Sequence, residues 1–130
     1  MAKTIVAPPT VHKTVGYSHA IRSGNTLYVS GQVPQDVNGK LVGPGDIKVQ
    51  GEQVYANLRA VVESCGGTMD NIVKLTTYAT NLAFRPALAE IRNRCFPKDP
   101  PASTFVVISS LAEPGYLVEV EAIAVLNGRQ

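Results

Sequence analysis

Pro100-Pro101-Ala102-Ser103-Thr104-Phe105-Val106-Val107-Ile108 is followed, after Glu113-Pro114-Gly115, by Leu117-Val118-Glu119-Val120-Glu121-Ala122-Ile123-Ala124-Val125. The stretch reads as two strands joined by a connection, and the second strand has an unusual alternation. Side chains along a strand point to opposite faces in turn, so Val118, Val120, Ala122 and Ala124 share one face. That face is small and apolar, as a surface that receives helices should be. Leu117, Glu119, Glu121, Ile123 and Val125 share the other, where two carboxylates interrupt an apolar row. A one-sided sheet facing water has no use for Ile123 and Val125 there. The second face is therefore expected to be covered in part by something outside the monomer. Glu119 and Glu121 have two readings: a solvated or salt-bridged pair, or carboxylates of which at least one lines a cleft and binds a donor or a water.

Working outward, Pro97 ends a helix that Pro86 starts, with Leu88, Ile91 and Cys95 as its apolar stripe and Glu90, Arg92, Asn93 and Arg94 around it. Before it, Ile72 to Thr80 is alternating and β-branched and reads as a strand, and Asn81 to Arg85 as a loop. An earlier helix begins at the N-cap Asp46 and stops at Gly66-Gly67. Its stripe is Val54, Leu58, Val61, Val62 and Cys65, with Glu52, Asn57, Arg59 and Glu63 off it. Turns are expected at Asn38-Gly39 and at Gly43-Pro44-Gly45. His19 to Ser23 and Thr26 to Ser30 flank Gly24-Asn25 and read as a tight hairpin. Gly31, at the end of the second of these strands, is either a simple bulge or a place where the bare backbone meets a ligand. Residues 1–18 form an extended arm with one short strand, since Pro8-Pro9 resist helix; Tyr17 there is a packing residue or a cleft lining with a polar tip.

Hairpin, helix, strand, helix and two strands make an α+β domain over residues 1–130, with both helices on one face of a mixed sheet. The other face would stay exposed in a monomer, and a homo-oligomer is the economical way to bury it. The hydrophobic fraction of 45% and charged fraction of 17% are those of a soluble globular chain. A net charge of +2 without a basic cluster argues against nucleic acid. No apolar run approaches the roughly 20 residues that span a bilayer, and the N-terminus does not read as a signal peptide, so a cytoplasmic location is expected. The two cysteines, Cys65 and Cys95, read as buried thiols, and with two histidines they show no metal spacing. His12 and His19 read as surface or hydrogen-bonded side chains, with His19 nearer any cleft. Neither a metal nor a cofactor is called for.

Several segments, in order and spacing, resemble the RidA (YjgF) family over essentially the whole chain. They are Gly16-Tyr17-Ser18, Leu27 to Pro34, Asn57 to Val62, Ile72 to Tyr78, Pro101-Ala102 and Val118 to Val125. The resemblance implies a chorismate-mutase-like fold and a homotrimer with clefts between subunits. It also implies hydrolysis of small imines or enamines, such as 2-iminopropionate, to a keto acid and ammonia. By the same resemblance, Glu119 orients the water, and Tyr17, Gly31, Ser103, Thr104 and Phe105 shape the ligand site. Family members carry an Arg after Pro-Ala to hold the substrate carboxylate; here Ser103 stands at that position, and Ala89 where an Asn is often found. Losing a charge-assisted contact of that kind costs roughly 1.5–3 kcal/mol, so activity on simple α-imino acids is in question unless Arg92 or Arg94 supplies the cation. Three functions follow: a divergent imine or enamine deaminase, a non-catalytic trimer that binds a small metabolite such as a carboxylate, and, with no supporting feature in the residues, an endoribonuclease or translation inhibitor.

Overall fold

The computed structural model describes residues 2–127; residue 1 and residues 128–130 of the expected domain lie outside the described residues. The elements are β1 (Thr4–Val6), β2 (Ala20–Ser23), β3 (Thr26–Gln32), α1 (Ile47–Ser64), β4 (Ile72–Ala79), α2 (Arg85–Cys95), β5 (Ala102–Val107) and β6 (Val118–Val125). They form one six-stranded sheet in the order β1-β2-β3-β6-β4-β5. Every pairing is antiparallel except β4 with β5. The two strands of the opening stretch do not pair. β6 inserts between β3 and β4, and β5 becomes an edge.

Local chemistry explains the punctuation. The β2–β3 hairpin turns on Gly24 at φ +60°, with Ser23 opposite Thr26, the two-residue turn that a right-twisted pair accepts. Asp46 caps α1 by accepting hydrogen bonds from the amides of Lys48 and Val49. At the other end Gly66 takes φ +80° and Gly67 N donates to Val62 O, closing the helix in a Schellman turn. Asn81 caps the short 3₁₀ turn Leu82–Phe84, so the segment expected to be a plain loop is helical up to the start of α2.

The core lies between the sheet and the helices. Val118, Val120, Ala122 and Ala124 are all buried, as their alternation requires, and α1 covers them with Val54, Leu58, Val61 and Val62. Burying an aliphatic side chain of this size contributes about 1.5–3 kcal/mol. α2 packs on α1 through Leu88 and Ile91, which close on the bare backbone of Gly51. Among the described residues the far face of the sheet is left open around Tyr28 and Val125, which are each about half exposed, at 51% and 46%.

The structure refines two of the sequence readings and overturns a third, that of the buried thiols. Asn57 is buried, because its amide donates to the carbonyls of Val33 and Gln35 at 3.0 Å each and so leaves no donor to be solvated. Cys65 and Cys95 are free but only half-buried, since each sits at the end of its helix. His12 and His19 are both buried, at 4% and 2% exposed, and of the two readings, surface or hydrogen-bonded, the second holds for His19.

Gln50, fully buried on α1, ties the helix to two loops. Its Nε2 donates to Gly43 O and Gly115 O, and its Oε1 accepts from Leu117 N. Gln50→Leu leaves Gly115 O and Leu117 N without partners, while Gly43 O keeps the amide of Asp46, at about 1–3 kcal/mol for each that water cannot reach. Urea unfolding at fixed protein concentration is expected to show a loss of at least about 2 kcal/mol; a loss below about 0.5 kcal/mol would show that these loops do not depend on the side chain.

Candidate functional site

Alternation places Glu119 on the uncovered face of the sheet, opposite Tyr78 of β4. Its surroundings are set by an irregularity in β3. Between Val29 and Gln32 the β3–β6 register slips by one residue, and Gly31 lies in that bulge. A Cβ on Gly31 would sit 2.0 Å from Glu119 Oε2. The bulge reading of Gly31 therefore holds, and its lack of a side chain admits a close neighbour. That neighbour is a carboxylate of the chain itself.

Glu119, Gly31 and Tyr17 line one cavity of about 570 Å³, together with His12, Gln35 and Tyr116. Burial, and then the charge of Glu121, hold the Glu119 carboxyl above its ordinary range. Tyr17 is half exposed and reaches the cavity from a turn at Gly16, whose φ is +84°; burial and the nearby Glu119 push its phenol up. Glu121 takes no part in the cavity. It accepts a hydrogen bond from Tyr78 OH at 3.0 Å on the open sheet face, which is the bland reading for that residue.

Of the two histidines, His12 lines this cavity and His19 does not, contrary to the sequence expectation. His19 is turned inward to organise the arm. Its Nε2 donates to His12 O at 2.6 Å, and Gln32 Nε2 donates to its Nδ1 at 3.2 Å and to Ser30 O at 3.1 Å. The rings of His12 and His19 stand edge to face at 4.8 Å. Burial, and then His19, hold His12 below its ordinary pKa, and its Nδ1 is buried without a partner.

Ser103 and Phe105 lie elsewhere. They are on the helix side of the sheet, in a cavity of about 440 Å³ between α2 and the edge formed by β4 and β5. Tyr55, Thr77, Ala89, Arg85 and Arg92 also line it. Two guanidinium groups and three hydroxyls face this space, and no carboxylate does, so it suits an anion. Arg94 is not part of it; Arg94 Nη2 donates to Glu52 Oε2 at 2.5 Å on the outside of the helices. Thr104 lines neither cavity. It alternates to the open face and accepts a hydrogen bond from Lys74 Nζ at 2.6 Å. The sheet thus stands between the Glu119 group and the Ser103 group within one chain.

Arg85, Gln35 and Tyr116 were not singled out in the sequence. Arg85 falls in what reads as a loop, and the other two lie in irregular segments that carry no periodic signal. The Gly115 turn before Tyr116 was the available hint.

Six strands in this order, two helices on one face and a metabolite-sized carboxylate cavity define a chorismate-mutase-like α+β domain. The sequence model of the family described as Endoribonuclease L-PSP matches residues 6–126. A RutC family protein of Pyrococcus abyssi is 35% identical over 125 residues, 95% of this chain and 98% of the relative. A protein of Dermatophagoides farinae named 2-iminobutanoate/2-iminopropanoate deaminase is 32% identical over 126 residues, 96% of this chain and 98% of the relative. Among solved structures, the Rid-family protein YyfA from Yersinia pestis superposes with a TM-score of 0.91 at 37% identity, over 96% of this chain and all of its own (100%). The chain belongs to the Rid (YjgF) family, as its motifs suggested.

The Glu119 shift carries a stability consequence. A carboxyl whose pKa is raised by folding binds more protons folded than unfolded, so stability falls as pH rises from the ordinary value of 4.5 through the raised one. Glu119→Gln cannot ionise and lacks that loss. Thermal unfolding across pH is expected to show the variant gaining on wild type above the ordinary carboxylate range. Parallel profiles at every pH would mean that Glu119 ionises as freely folded as unfolded.

Proposed function

We propose that the chain is a hydrolytic deaminase of small imines or enamines bearing an acidic group, working in a cleft shared between copies of a homotrimer. The observation that carries this reading is the Glu119 carboxylate seated over Gly31 in a cavity of about 570 Å³. Desolvation raises the basicity of that carboxylate, which makes it a better proton acceptor than an exposed one. As the water oxygen bonds to the carbon of C=N, Glu119 accepts one water proton and returns it to nitrogen. Glu119 then takes the hydroxyl proton of this adduct and passes it to the amine nitrogen, the C–N bond breaks, ammonia leaves and the carbonyl forms, so one imine and one water give one carbonyl and one ammonia. The name of the Dermatophagoides farinae relative supports this class of reaction.

The second cavity supports the shared cleft. Its guanidinium groups offer an anion site in place of the cation that Ser103 lacks. Arg92, half-buried on α2, is the better placed of the two, because Arg85 is exposed at the start of the helix. One chain cannot bring this site to Glu119 through its own sheet, whereas a neighbouring copy can. The uncovered face, with Tyr28, Val125 and the β5 edge residue Val106, supplies the apolar surface for such an assembly.

Light scattering is expected to give three times the 13.8 kDa chain mass; a clean monomer at micromolar concentration would overturn the shared cleft. Ammonia release from enzymatically generated 2-iminopropionate and from bulkier acidic imines is expected to fall about 100-fold or more in Glu119→Gln. Arg92→Ala is expected to raise KM about tenfold with kcat little changed. Ser103→Arg is expected to gain activity on 2-iminopropionate. Binding of these acids without ammonia release would make the protein a metabolite-binding trimer, and RNA cleavage removed by Glu119→Gln would replace the imine reading altogether.

A further inference from the structure

Two buried amides of α1 converge on one point behind the Glu119 cavity. Gln50 holds both neighbours of Tyr116, donating to Gly115 O at 2.9 Å and accepting from Leu117 N at 2.8 Å. Asn57 holds the carbonyl of Gln35 at 3.0 Å. The two segments so fixed meet through their side chains: Gln35 Nε2 donates to the hydroxyl of Tyr116. Tyr116 is only 5% exposed.

A phenol hydroxyl has one hydrogen. The Tyr116 oxygen is taken by Gln35, and its hydrogen has no acceptor among the described residues. Glu119 has the reverse vacancy. Its carboxylate accepts no hydrogen bond from any described residue and opens to the cavity. Both groups line the same cavity, and they are not within hydrogen-bond distance of each other. The gap between an idle donor and an idle acceptor suits one small molecule that can satisfy both.

We propose that the Tyr116 hydroxyl and the Glu119 carboxylate together seat the water that attacks the substrate, with Gln35 fixing the direction of the phenol hydrogen. This deepens the deaminase reading and rests on it for the identity of the reaction. The water donates one hydrogen to Glu119 and accepts the Tyr116 hydrogen on one lone pair, leaving the other lone pair free to meet the C=N carbon. Tyr116 is then a positioning residue. Tyr17 is a poorer candidate for that task, since it is half exposed at 50% and stands on a turn with no hydrogen bond to its hydroxyl. Glu119 also faces Glu121 on its own strand, Tyr78 from β4, Lys13 and His12 from the arm, and Glu113 from the β5–β6 connection.

The test uses the whole chain as Tyr116→Phe and Gln35→Leu, with two readouts. The first needs no turnover: the Glu119 carboxyl is titrated by carbon NMR, its resonance assigned with Glu119→Gln. Removing a donor that reaches the carboxylate through water disfavours the charged form, so Tyr116→Phe is expected to titrate about half a pH unit higher. Gln35→Leu is expected to shift it the same way by less, because it weakens the donor without removing it. The second readout is ammonia release, where kcat is expected to fall about tenfold with KM within about twofold. An unchanged Glu119 titration in folded Tyr116→Phe overturns the seat, even if activity falls. Should Tyr116→Phe not fold, Gln35→Leu decides by the same titration. A wild type that releases no ammonia sinks the deaminase reading alone, and the titration still decides whether Tyr116 serves Glu119.

Discussion

β6 occupies the middle of the sheet, hydrogen-bonded along both edges, and the rest of the structure is arranged around that position. A strand paired on both sides cannot rotate to relieve a misplaced side chain, so its alternation is enforced over eight residues, Val118 to Val125. Small apolar side chains at every second position let α1 lie close, and Val54, Leu58, Val61 and Val62 fill the contact. The same constraint sends Glu119, Glu121 and Ile123 the other way. The carboxylate that defines the candidate site is therefore placed by the strand that builds the core.

The bulge in β3 turns that enforced placement into a site. Regular pairing would set an ordinary residue beside Glu119; the slipped register sets Gly31 there, and the missing Cβ leaves room for Oε2. Partial burial then acts on the carboxyl and raises its pKa. The buried amides Gln50 and Asn57 apply the same logic to the surrounding loops. Each replaces water at backbone groups that the fold has hidden, and in doing so each fixes a segment that reaches the cavity.

The sheet divides the chain chemically. A basic, hydroxyl-lined cavity opens on the helix side at Ser103 and Arg92, and an acidic one opens on the other side at Glu119. Held apart by β4 and β5, they are complementary halves with no route to each other inside the chain. Arg92 and Arg94 show how fine the distinction is. Two residues apart on α2, one lines the basic cavity and the other is spent on an ion pair with Glu52.

Read alone, the order of residues settled the elements, the hairpin, the helix caps and the two faces of the last strand. Those depend on local rules: alternation, helical spacing, glycine at turns and Asp46 at a cap. It also singled out Glu119, Gly31 and Tyr17, which do share one cavity. It did not separate Thr104 from Ser103 and Phe105 in use, although alternation places them on opposite faces, because no strand direction was known to say which face held the cleft. It placed Asn57 off the apolar stripe with no sign of its burial, and took His19 for the histidine nearer the cleft. Periodicity registers hydrophobicity, not the backbone carbonyls or ring nitrogens that await a polar side chain. Which loops converge on Glu119, and that Tyr116 meets Gln35 across 81 positions of sequence, was decided only by tertiary packing, since contacts between irregular segments follow from where the sheet and α1 leave them and have no local signature.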